Sequence, residues 1–162
     1  SALTQEKMLS IQDLLNKDEL NNTKNKASLN RYIAAVRANL TEDMQKNLKD
    51  RHQDNEYKRE LITKLTIESL LPFLQEELKL SIEKSKHFLK KKPIAFRFIW
   101  LRTWLSIDWF LKGGIEDTKP SKVTNDFLDH DYILTATFFN GILSEDKRVN
   151  LAYQDIMQML KK

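Results

Sequence analysis

Residues 94–111 constrain this chain more than any other segment. Thirteen of these 18 residues are apolar, including Trp100, Trp104 and Trp109, and the run lies between Pro93 and the pair Gly113-Gly114. Proline suits the first turn of a helix and glycine its end. The length approaches that of a membrane span. Arg97, Arg102 and Asp108 interrupt it, however, and each would be costly in hydrocarbon. The run therefore predicts a central core helix, apolar nearly all round. The three tryptophans read as core rather than as a platform for stacked bases. The two arginines either pair with buried acids such as Asp108 or reach a phosphate.

A core helix of this kind needs amphipathic helices around it, and the rest of the chain supplies them. With 162 residues the chain reads as one domain. Only 3 Gly and 3 Pro are present, few for a turn-rich β protein. The absence of cysteine excludes disulfides and thiolate zinc sites, and is compatible with a reducing, cytoplasmic setting. The opening residues are polar, without the apolar run of a signal peptide.

The first helix is expected over 4–17, with Met8, Leu9, Ile11, Leu14 and Leu15 apolar, followed by a polar loop at 21–26. Ser28 is a plausible cap for a second helix, in which Leu29, Tyr32, Ile33, Val36 and Leu40 form a stripe at helical spacing. Thr41 can cap a third, with Glu42 and Asp43 in its first turn. Residues 45–60 are almost wholly polar, either a solvated helix face or a linker. Residues 61–89 form a long amphipathic stretch that Pro72 should kink or split. A loop is expected over 115–125 and a helix over 126–139, stopped by Asn140-Gly141. Ile142-Leu143-Ser144 reads as a buried short strand. Ser144 then caps a last helix whose inner face is Val149, Ala152, Tyr153, Ile156 and Leu160. The overall expectation is a mainly α domain: a helical part over 1–112, and a part over 115–162 holding at most a small parallel β element near 142–144.

The net charge of +4 is unevenly spread. Residues 1–92 hold 18 Lys+Arg against 14 Asp+Glu, whereas residues 93–162 hold 9 of each. Much of the excess lies near Lys90, Lys91, Lys92 and Arg97, the candidate contacts to a nucleic-acid backbone. A charge run of this size reads better as a solvated helix end, where cations complement the dipole.

Chemistry concentrates in Asn125-Asp126-Phe127-Leu128-Asp129-His130-Asp131-Tyr132 and in Leu143-Ser144-Glu145-Asp146-Lys147. Asp126 and Asp129 are three apart and share a face if helical. A strand returning beside the helix start would bring Asp146 near them. Converging carboxylates repel one another, and a divalent cation is the usual remedy. Oxygen ligands alone suit Mg²⁺ or Mn²⁺. Against that stands simple helix capping by Asp126 and Asp146. His130 lies near the cluster and reads as exposed.

Over residues 122–150 the pattern N-D-x-x-D-x-D-Y, an apolar helix and a strand ending S-x-D-K resembles the C-terminal half of PIN-like nuclease domains. The resemblance implies an α/β fold with a parallel sheet, and a hydrolase that cleaves RNA with Mg²⁺ or Mn²⁺. Carried over by position, it implies Asp126, Asp129 and Asp146 as catalytic metal-site carboxylates, Asp131 as a further candidate ligand, and Ser144 as a polar support. It also calls for a mid-chain acid, for which Glu68, Glu76 and Glu77 stand as candidates. A PIN domain opens with a hydrophobic strand ending in aspartate, and the nearest match here, Leu9-Ser10-Ile11-Gln12-Asp13, reads as helix. Either that strand lies upstream, or the site is degenerate, or the likeness is accidental. The rival reading is a non-catalytic helical module that binds a protein partner through an apolar groove.

Overall fold

The computed structural model describes residues 2–139 and 141–161, with side chains from residue 16 onward. Seven helices follow in order among the described residues: α1 (Ala2–Ala38), α2 (Glu42–Asp50), α3 (Asn55–Glu76), α4 (Ile82–Lys90), α5 (Ile94–Leu111), α6 (Pro120–Ala136) and α7 (Lys147–Lys161). The fold is mainly α, and a PIN-like parallel sheet has no counterpart among the described residues.

The apolar run is α5, and it is the centre of the molecule. Ten of its 18 side chains are buried, and α1, α3, α6 and α7 all pack against it. Trp100, Trp104 and Trp109 are core residues, as their spacing predicts. No helix of the described residues is long and apolar enough to cross a membrane. At the C-terminus of α5, Gly113 and Gly114 take φ of 93° and 105°. There the Gly114 N–H donates to the Trp109 carbonyl, a left-handed cap that favours glycine.

Several expected boundaries move. No loop separates 21–26, because α1 runs unbroken to Ala38. No Gly or Pro interrupts that stretch, and two of its polar side chains find partners elsewhere in the fold. Lys26 donates to the carbonyls of Glu116 and Thr118, and Asn25 to Thr124 Oγ1. The burial expected of Met8 to Leu15 falls outside the described side chains. Residues 45–60 are ordered as α2, a turn, and the start of α3. Thr41 caps α2 by accepting from the Met44 N–H, and Asp54 caps α3 by accepting from the Tyr57 N–H. Pro72 does not end its helix, because α3 continues to Glu76. The break comes at 77–81, where Lys79 adopts φ of 53°.

The most consequential shift is in α6. It begins at Pro120, at the first helical position, so Asp126, Asp129 and Asp131 lie within the helix rather than at its start. The expected strand at 142–144 is absent. Leu143 is 93% exposed, and the Tyr132 hydroxyl both donates to its carbonyl and accepts from its N–H. With no neighbouring strand to pair with, the Leu143 backbone is satisfied by the Tyr132 side chain. Asp146, not Ser144, caps α7, accepting from the N–H groups of Arg148 and Val149. Ser144 Oγ accepts from the Asp146 N–H instead. Asn140 lies outside the described residues.

Candidate functional site

Three of the four sequence-predicted aspartates do converge. Asp126, Asp129 and Asp146 line one groove of about 400 Å³, together with Lys122 and Arg148. The helical period explains the arrangement. Val123, Asp126, His130 and Ile133 fall on the buried face of α6, Asp129 stands at its edge, and Asp146 arrives from the cap of α7. Asp131 points elsewhere. It accepts from Arg102 NH2 at 3.0 Å on a largely exposed side of α6.

The cation that answers this crowding is a side chain of the chain itself. Arg148, one residue into α7 beyond Lys147, puts NH1 2.7 Å from Asp126 Oδ1 and NH2 2.6 Å from Asp108 Oδ2. Only the first contact has hydrogen-bond alignment. The other oxygen of Asp126, Oδ2, accepts from the Trp109 indole N–H at 2.8 Å. Asp126 is thus 5% exposed with each oxygen engaged, anchoring a core tryptophan on one side and a guanidinium on the other. Asp146 is held below the usual carboxylate range by the backbone N–H groups of Val149 and Arg148 that it caps. Asp129 is pushed up by burial first, then by the charges of Asp146 and Asp126. No group of three or more His, Cys, Asp or Glu among the described residues could hold a metal ion. Within this cluster Arg148 supplies the counter-charge to Asp126.

Sequence spacing misplaced His130. It is 5% exposed, packed on Trp104 at 5.7 Å between ring centroids, with Nδ1 buried and unpartnered. Burial, then the charges of Arg102 and Arg148, depresses its pKa to about 3. The unfolded chain takes up this proton near the ordinary value of 6.5. Its contribution is therefore complete above pH 6.5 and is lost as pH falls toward 3, at about 1.4 kcal/mol per unit. Between pH 7.5 and 5.0 the wild type should lose about 2 kcal/mol more than a His130→Leu variant in urea unfolding. Equal losses would show that the ring is protonated as easily folded as unfolded.

Two of the four basic candidates are occupied. Lys92 Nζ donates to the carbonyls of Met159 and Leu160, closing the end of α7. Arg97 donates to the Lys92 carbonyl and to Thr137, and stacks on Phe138 at 4.3 Å. Lys90 and Lys91 remain exposed. Arg102 lies against the Phe127 ring at 3.9 Å, so both arginines of α5 serve contacts within the fold.

Spacing missed Asp155. It is 2% exposed and accepts from the Trp104 indole at 2.9 Å and from Arg59 NH1 at 3.0 Å. Its position three residues after Ala152 on an amphipathic helix was the available signal. Spacing also gives no view of two grooves. One, of about 590 Å³, runs between α3 and α5 and has Ser69 as its sole polar residue, beside Leu70, Phe73, Ile94, Phe98 and Leu134. The other, of about 750 Å³, lies where α3, α4, α5 and α7 meet, and it has an apolar floor and a charged rim that includes Glu68. Comparison of the chain with protein-family models, curated proteins and solved structures finds no match.

Proposed function

We propose that this chain is a non-catalytic helical interaction module that receives the apolar face of an amphipathic helix from a protein partner. The groove between α3 and α5 carries this reading. Phe73 is 51% and Ile94 57% exposed, at facing edges of a channel without a charged lining residue. Apolar surface gathered in this way marks interaction sites. Two helix walls with aromatic and branched side chains suit the helix-in-groove mode, in which partner residues at i, i+3, i+4 and i+7 anchor. Asp126 supports the reading from the other side, because it is used in holding α5, α6 and α7 together.

The test is a photoreactive side chain at position 94, crosslinked in cells, with the captured protein then produced and its affinity measured. Phe73→Asp should weaken that affinity at least tenfold, with the melting temperature little changed because the ring is half exposed. Absence of an adduct, or an affinity indifferent to Phe73→Asp, would remove the reading.

A second reading, a PIN-like metal-dependent ribonuclease in incomplete or degenerate form, rests on one observation. Asp126, Asp129 and Asp146 share a groove. It requires Arg148 to leave Asp126, and it predicts a melting temperature that rises with Mn²⁺ in the wild type but not in Asp146→Asn. The interaction module predicts no rise in either.

A further inference from the structure

The groove bounded by α3, α4, α5 and α7 has a makeup unlike the α3–α5 channel. Leu89, Phe96 and Met159 are buried at its floor, and Ile67 is 38% exposed at its wall. Its rim carries Arg59, Lys64, Lys86, Lys90 and Lys92 against Glu60 and Glu68. Three of these cations are engaged within the fold. Arg59 lies 3.0 Å from Asp155, Lys64 stands 3.9 Å from Glu68, and Lys92 donates to the last carbonyls of α7. Lys86 and Lys90 are exposed and have no ion-pair partner among the described residues. They are four apart on α4, so they stand on one edge of the groove, one turn from each other.

We infer that this groove binds a long-chain carboxylate, with the alkyl chain across Ile67, Leu89, Phe96 and Met159 and the carboxylate at the Lys86–Lys90 edge. Its volume of about 750 Å³ falls in the range of small-ligand sites, which are mostly apolar with a few placed polar groups. Residues of four helices line it. The pairing of an apolar floor with two uncommitted cations on one side matches an amphiphile with a single anionic end. An uncharged amphiphile would leave the lysines unused. The site is separate from the α3–α5 channel, and Phe73→Asp should leave it unaltered.

Dodecanoate and dodecanol, each below its solubility limit, are the probes. Calorimetry gives affinity, and methyl NMR of Ile67, Leu89 and Met159 gives position. Dodecanoate should bind with shifts at these three methyl groups, and dodecanol about tenfold more weakly. Lys86→Glu/Lys90→Glu, at exposed positions, should remove that tenfold preference while the melting temperature and dodecanol binding stay as in the wild type. Ile67→Glu should abolish both. Three outcomes would each overturn the inference: no binding by the folded wild type, equal affinity for the two probes, or dodecanoate shifts centred on Leu70 and Ile94 instead. Shifts at Ile67 and Met159 from an acidic amphipathic peptide, with none from dodecanoate, would overturn it in favour of peptide docking.

Discussion

Asp155→Ala should cost about 3–5 kcal/mol, the range for breaking a buried ion pair from one side. Asp155 is 2% exposed, and its two oxygens hold Arg59 of α3 and the Trp104 indole of α5. Alanine would leave a largely buried guanidinium without its counter-charge and an indole N–H without an acceptor. Both costs fall where α3, α5 and α7 meet. A domain of this size has about 5–15 kcal/mol of stability in total, so the variant should lose a large share of it. Asp155→Asn should lose less, because the amide oxygen can still accept from Trp104. Trp104→Phe should lose less again, because it leaves the ion pair intact. Urea unfolding at pH 7.5 measures all three. A loss under about 0.5 kcal/mol in Asp155→Ala, the size of an ordinary surface change, would mean that water replaces the carboxylate freely and that this junction is not dry.

Arg148→Met should cost about 3 kcal/mol, by the same physics acting from the cationic side. The guanidinium lies between Asp126, which is buried, and Asp108, which is one-quarter exposed at its side chain. Methionine keeps most of the volume and removes the charge, so Asp126 is left with the Trp109 indole alone. The loss should be partly recovered in Arg148→Met/Asp126→Asn, where the stranded carboxylate is neutralised. A double-mutant cycle should therefore give a coupling of about 1.5–3 kcal/mol between positions 126 and 148. Additive losses would show that the two side chains do not depend on each other. The experiment also bears on the cluster as a whole, since it asks whether the remedy for crowded carboxylates here is an internal arginine.

Arg148 is also the residue that divides what spacing can reveal from what it cannot. A run of aspartates announces a charge problem, and Asp126, Asp129 and Asp146 do share a groove, though not through the helix start and returning strand that the sequence suggests. Which cation solves that problem depends on the approach of α7 to α6 and α5, and no local pattern encodes that approach. The same holds for His130. Its burial depends on which face of α6 packs inward, and positions 126, 130 and 133 share that face.

By itself, the sequence determined the helical class, the central place of residues 94–111, the Thr41 cap, the glycine stop after α5 and the core role of the three tryptophans. Each of these follows from interactions within a few residues, or from the plain need to bury an apolar run. The tertiary structure alone decided the loss of the expected strand at 142–144, the Asp155 and Arg148 junctions and the two grooves. The continuity of α1 is permitted locally by the absence of Gly and Pro, while Asn25 and Lys26 find partners about 90 to 99 residues away. A strand needs a neighbour to pair with, and none packs beside Leu143. Grooves are the space left between helices once they have packed, a property of crossing geometry that composition does not contain.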